Sequence, residues 1–165
     1  MRKLIVVFLF VATPFVFAQT ANFSGIWKLN LDKSDFGAQV APNSVEYVIR
    51  HIGSKISFNY TQDGTTTRVD LIPDNEERVT SSNAETAIWT RCHWSGDTLL
   101  IESRERRKYG LQTATGTSST SKWSLSDDGR EFIIERTLKS ALYETQQKLV
   151  LVKQSLKQAQ PEPPS

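Results

Sequence analysis

Hydrophobic and polar positions alternate along most of this chain. Between residues 24 and 153, runs rich in Val, Ile, Thr, Tyr, Phe and Trp are separated by short clusters of Gly, Asp, Asn and Ser. A period of two, carried by β-branched and aromatic residues, marks strands that bury one face. The pattern predicts strands near 24–31, 44–52, 55–62, 65–72, 86–95, 98–107, 113–125, 130–138 and 142–153, with a tenth, short strand near 77–81. No stretch predicts a helix longer than two turns. Residues 33–43 read as a single helical turn or an irregular loop.

The turns set the register. Gly53-Ser54 fits a two-residue type II′ hairpin, which pairs His51 with Ile56, Ile49 with Phe58 and Tyr47 with Tyr60. Asp63-Gly64 fits type I′ and pairs Tyr60 with Thr67, Phe58 with Val69 and Ile56 with Leu71. Both turns independently put Ile56, Phe58 and Tyr60 on one apolar face, and a slip of one residue would destroy that sorting. Gly96-Asp97 pairs Trp94 with Leu99, Cys92 with Ile101, Thr90 with Ser103 and Ile88 with Glu105. On the opposite face Arg91 meets Glu102 and Trp89 meets Arg104, both favourable cross-strand pairs. A four-residue loop at Ser126–Gly129 would pair Trp123 with Phe132 and Ser121 with Ile134. Sequential hairpins of this kind must protect their outer edges, and closure into a barrel does so. The expected fold is all-β: a single antiparallel up-and-down β-barrel of 8–10 strands.

The N-terminus changes the picture of where that barrel works. Arg2 and Lys3 precede an apolar run, Leu4–Phe17, and Val16-Phe17-Ala18 supplies small residues at the −3 and −1 positions of a cleavage site. That is the layout of a secretory signal peptide. At about 14 residues the run falls short of the ~20 that span a bilayer. Residues 1–18 are therefore expected to be removed, residues 19–153 to form the barrel, and 154–165, rich in Gln and Pro, to be a disordered tail. The protein is expected in the secreted or periplasmic space. Loss of Arg2 and Lys3 leaves 18 basic and 18 acidic residues, which excludes a general nucleic-acid binder. One cysteine, Cys92, excludes an intramolecular disulfide, so the core must hold the domain.

Phe23-Ser24-Gly25-Ile26-Trp27 resembles the Phe-x-Gly-x-Trp signature of the first strand of lipocalins and their relatives, the calycins. Its extension through Lys33-Ser34-Asp35-Phe36 resembles exported bacterial proteins with a lipocalin-like domain. The resemblance implies that Trp27 closes the bottom of the barrel, that Gly25 lets the backbone approach closely there, and that an arginine from a late strand stacks near the tryptophan. Arg136 is the match for that arginine. The family's Thr-Asp-Tyr motif is absent, as is the C-terminal Arg-x-Tyr that grips carboxylates in fatty-acid-binding proteins.

The registers place a candidate ligand site on the inward face: Tyr47, Ile49, Phe58, Tyr60, Val69, Ile88, Ile101 and Trp123 as apolar area, with Thr90, Ser103 and Glu105 as polar contacts. Glu105 would sit at a wet mouth or pair with a cation such as Arg107, since a lone buried carboxylate is costly. Catalytic chemistry is not visible. Cys92 and His93 are neighbours on a strand and point to opposite faces, so they do not share a metal ion, and no metal or cofactor is expected. There is no Gly-x-Ser-x-Gly elbow, phosphate loop or dinucleotide fingerprint. The run Arg104–Gly110 carries four basic residues, read as a solvated strand end or an anionic-surface patch. Asn22 and Asn59 begin glycosylation sequons. An outer-membrane barrel would need a continuous apolar outer band, whereas both faces of 98–107 carry charge. The expected function is non-enzymatic binding of a small apolar or amphipathic ligand by a monomer that keeps no membrane attachment after cleavage. The competing expectation is a filled barrel that contacts a protein of the cell envelope through its outer surface.

Overall fold

The computed structural model describes residues 20–109 and 112–155, with the side chains of 108–115 outside that description. The expected signal segment, 1–18, and most of the expected disordered tail, 154–165, therefore lie outside the described residues. Ten strands run in sequence: β1 Gly25–Leu29, β2 Val45–Ile52, β3 Lys55–Gln62, β4 Thr65–Leu71, β5 Arg78–Ser82, β6 Thr86–Ser95, β7 Thr98–Tyr109, β8 Gln112–Leu125, β9 Glu131–Lys139 and β10 Glu144–Lys153. The sheet order is β4-β3-β2-β1-β10-β9-β8-β7-β6-β5, all pairs antiparallel. Every strand after β1 pairs with its predecessor except β5, and β1 joins β10. The result is an up-and-down barrel that is nearly closed, with no ladder between β4 and β5.

The first two hairpins have the registers read from the sequence. Tyr47 pairs with Tyr60, Ile49 with Phe58 and His51 with Ile56, while Phe58 pairs with Val69 and Ile56 with Leu71. Asp63 and Gly64 both have positive φ, 49° and 85°, as a type I′ turn demands. The third hairpin also matches, with Cys92 opposite Ile101 and Thr90 opposite Ser103. The β8–β9 turn differs. Trp123 pairs with Ile134 and Ser121 with Arg136, because the loop closes one residue later than expected. Ser126 N donates to Glu131 O, Glu131 N to Ser126 Oγ, and Arg130 N to Asp128 Oδ1. These side-chain caps, which compete with the ladder for backbone groups, make Ser126 and Glu131 the closing pair. The shift is two in pairing, so Trp123 still faces inward.

The bottom of the barrel is an aromatic plug. Phe23, Trp27 and Phe132 are fully buried. Phe23 stacks on Trp94 at 5.8 Å and meets Trp123 edge-on at 5.9 Å, and Trp27 tilts against Phe132 at 5.6 Å. The Trp27 indole Nε1 donates to the Phe23 carbonyl at 2.8 Å, so the one polar atom of the plug is satisfied. Gly25 has a φ of +149°, and a Cβ there would sit 3.1 Å from Lys153 Cε and 3.4 Å from the Trp27 indole. Glycine at 25 is favoured by that positive φ, and a Cβ there would press on Lys153 and pack against the Trp27 indole.

At the other end, residues 30–44 form an irregular crossover with no helix, stitched to β10. Asp35 and Lys148 exchange both backbone hydrogen bonds at 2.7 Å, and Ala38 N donates to Thr145 Oγ1 at 3.2 Å. Gly37 (φ +57°) lies so close to β10 that a Cβ would come within 2.3 Å of the Gln146 carbonyl oxygen. On the outside, charge appears on every long strand, including Arg50, Arg91, Glu102, Lys122, Glu135 and Lys148, all exposed. Trp89 faces outward too. Its cross-strand partner is Arg104, yet the guanidinium over its ring is that of Arg106, at 4.7 Å, because Arg104 turns to Glu77.

Cys92 lies on the inward face of β6, 3% exposed, and burial pushes its thiol up to about 11. A thiol that stays protonated at neutral pH is a poor nucleophile. A disulfide exchange reagent should leave the native protein untouched and titrate one thiol in denaturant. Rapid labelling of the folded protein would show instead that β6 opens readily.

Candidate functional site

A cavity of about 330 Å³ occupies the barrel above the plug, at the small end of the ~300–1,000 Å³ typical of ligand sites. Of the residues expected on the inward face, Tyr47, Phe58, Val69, Ile88, Thr90, Ile101, Ser103 and Trp123 line it. Three others do not. Ile49 is buried in the core below the cavity. Tyr60 packs on Tyr47 at 4.9 Å toward the upper end and gives its hydroxyl to Gln62. Glu105 also sits toward the upper end. Its carboxylate accepts from Arg107 Nε at 2.8 Å and lies 3.4 Å from Thr117 N. Arg107 holds the Glu105 carboxyl below the ordinary glutamate range, so it is an ion pair at the rim and not a polar contact inside the cavity. The register of β7 shifts between Arg104 and Arg106, which is where the inward face gives way to this rim.

The resemblance had assigned Arg136 to stack near Trp27, and the structure corrects this. The cation over the Trp27 ring is Lys153 Nζ, at 5.1 Å, because Lys153 is the cross-strand partner of Trp27. Arg136 pairs with Gln147, six residues earlier on β10 and so roughly 20 Å away along the strand. There it lines the cavity. Its Nε and Nη2 donate to Gln147 Oε1 at 3.0 and 2.5 Å, and Gln147 Nε2 donates to the Phe36 carbonyl at 3.1 Å. Gln147 therefore ties the arginine to the β1–β2 crossover. Among the described residues no carboxylate forms an ion pair with Arg136. Burial pushes the Tyr47 phenol far above its ordinary value, so Tyr47 stays neutral beside the arginine.

Other lining residues lay outside the expectation: Thr67, Leu71, Thr80, Ser81, Ser119, Ser121 and Ile134. Leu71, Ser121 and Ile134 share the parity of Val69 and Trp123 and could have been found from register. Thr80 and Ser81 belong to β5, whose bulge between Val79 and Ser81 breaks the alternation. The hydroxyls connect. Thr80 Oγ1 lies 2.8 Å from Thr90 Oγ1, which lies 3.0 Å from Ser103 Oγ.

The cavity also opens sideways. β4 and β5 share no ladder, the inward-facing Thr67 is exposed, and Ile88 is 39% exposed although it points inward. The slot is bounded below by the β4–β5 connection, where Asn75 N donates to the Cys92 carbonyl at 2.9 Å. Among the described residues no cluster of His, Cys, Asp or Glu could hold a metal ion.

No protein-family model and no curated protein matches the chain. Solved structures do. One is a fatty acid transporter, REP1-NXSQ, at 14% identity and a TM-score of 0.54, covering 81% of this chain and 96% of that one. A second is the zebrafish ileal bile acid-binding protein complexed with cholic acid, at 11% identity and 0.56, covering 80% and 98%. A third is a secretory abundant heat soluble protein from Ramazzottius varieornatus, at 14% identity and 0.57, covering 80% and 95%. At these identities the likeness establishes the fold: a ten-stranded antiparallel barrel of the kind found in lipid-binding proteins.

Proposed function

We propose that this chain is an exported, non-enzymatic binding protein that holds one small apolar or amphipathic molecule inside its barrel. The observation that carries this reading is the cavity of about 330 Å³, with Phe58, Leu71, Ile101 and Trp123 on its walls and Arg136 facing it without a carboxylate partner among the described residues. A half-buried cation left without an anion is an invitation to a ligand oxygen, by charge-assisted hydrogen bonding. The likeness to a fatty acid transporter and a bile acid-binding protein supports the same reading. The ligand's apolar part would rest on Trp123 and Phe58 and its polar end would reach Arg136. The barrel would work as a monomer in the secreted or periplasmic space after cleavage behind Ala18.

Two measurements test the proposal. Titration of anilinonaphthalene sulfonate, an apolar fluorophore with one anionic group, should give saturable binding with one site per chain. A flat titration across a panel of apolar probes would replace the reading with a filled barrel that acts through its outer surface. N-terminal sequencing of the exported protein should begin at Gln19, and a membrane-bound form retaining Met1 would overturn export by cleavage.

A further inference from the structure

The polar lining of the cavity is not scattered. Thr80, Thr90 and Ser103 are hydrogen-bonded side by side across β5, β6 and β7. On β8 the cross-strand partner of Ser103 is Ser119, and Ser121, two residues along the same face, has Arg136 on β9 as its own partner. Thr80, Thr90, Ser103, Ser121 and Arg136, with Ser119 beside them, form a belt around one side of the barrel, from the lip of the β4–β5 slot to the strand on the far side. The wall facing the belt is apolar: Phe58 from β3 and Val69 and Leu71 from β4. Thr80 Oγ1 also donates to the Ile88 carbonyl at 3.5 Å, so the three linked hydroxyls have their protons engaged and offer lone pairs to a ligand donor. The Ser121 hydroxyl has no hydrogen-bond partner among the described residues, although its backbone is paired in the sheet.

We propose that the cavity takes a flat ring molecule that carries oxygen functions along one edge, and that the Thr80–Thr90–Ser103–Ser121–Arg136 belt reads that edge. The inference rests on the binding function proposed above and narrows its ligand class. A simple alkyl chain offers nothing to the belt and would strip water from its hydroxyls without replacing it, which carries the cost of unsatisfied buried groups. A flat molecule entering through the slot lays its oxygenated edge on the belt, its hydrocarbon edge on Phe58, Val69 and Leu71, and its leading oxygen on Arg136. The modest cavity volume suits two or three rings. Sites built to hydrogen-bond a ligand reject the analogue that lacks the partner more strongly than apolar pockets reject a missing methylene.

The test compares three probes on the full mature chain by calorimetry: galangin, a flavone with hydroxyls and a carbonyl along one edge; unsubstituted flavone; and dodecanoate, a flexible anion. Galangin should bind at least about tenfold more tightly than flavone and more tightly than dodecanoate. The paired substitution Thr90→Val with Ser103→Ala should bring the galangin affinity down to that of flavone. Flavone binding as well as galangin, dodecanoate binding best, or an advantage that survives the paired substitution would each overturn the inference while leaving the binding function standing. Failure of all three probes to bind would instead overturn the binding function itself. If the paired variant does not fold, the galangin-to-flavone ratio on the native chain decides alone.

Discussion

Trp27→Ala should leave the protein unfolded or with its urea midpoint sharply lowered. The side chain is fully buried and fills the end of the barrel between Phe132 and Lys153. Truncating a buried tryptophan costs ~3–5 kcal/mol. The Phe23 carbonyl would also lose its 2.8 Å donor, and an orphaned buried acceptor adds ~1–3 kcal/mol. A domain of this size is held together by only ~5–15 kcal/mol. Far-UV circular dichroism followed through urea reads the loss directly. Trp89→Ala, on the outward face, is the control and should shift the midpoint much less. A Trp27→Ala protein as stable as the native one would show that the plug does not hold the barrel closed.

Phe58→Trp should abolish probe binding while the barrel stays folded. Phe58 lies on the inward face of β3, 5.2 Å from Trp123 and 5.6 Å from Tyr47, and lines the cavity. An indole in its place has space to occupy only on the cavity side. Overpacking a dense core costs ~1–3 kcal/mol, and the empty volume beside Phe58 places this variant at the low end. The same titration with anilinonaphthalene sulfonate then separates cavity from surface binding. Retained affinity in a folded Phe58→Trp protein would put the probe on the outside.

Much of the fold was legible because its hairpins carry redundant signals. Gly53-Ser54 and Asp63-Gly64 each set the face of β3 independently, and Ile56, Phe58 and Tyr60 agree with both. Phe-x-Gly-x-Trp pointed to a plugged barrel end, and the positive φ of Gly25 with the close approach of Lys153 explains the glycine. The errors fall where redundancy is missing. The β8–β9 turn is closed by Ser126 and Asp128 side chains, which compete with the strand ladder in a way that loop length alone does not reveal. Arg136 was matched to the plug arginine through the family resemblance, as an arginine on a late strand, and residues 144–148 of β10, Glu-Thr-Gln-Gln-Lys, lack the hydrophobic alternation that would have shown which residue lies opposite it. In the fold that partner is Gln147, and the arginine faces the cavity. Of the hydroxyl belt only the Thr90–Ser103 pair was legible, for a related reason. Ser and Thr are common on both faces of strands here, so Thr80, Thr90, Ser103 and Ser121 become one feature only once β5 through β8 are set side by side.

The most direct measurement is an intermolecular nuclear Overhauser experiment on methyl-labelled protein saturated with anilinonaphthalene sulfonate. Occupancy of the barrel interior gives cross-peaks from probe protons to the inward-facing methyls of Val69, Leu71, Ile101 and Ile134. Cross-peaks confined to the outward-facing methyls of Val48 and Val79, both exposed on the surface, would contradict it.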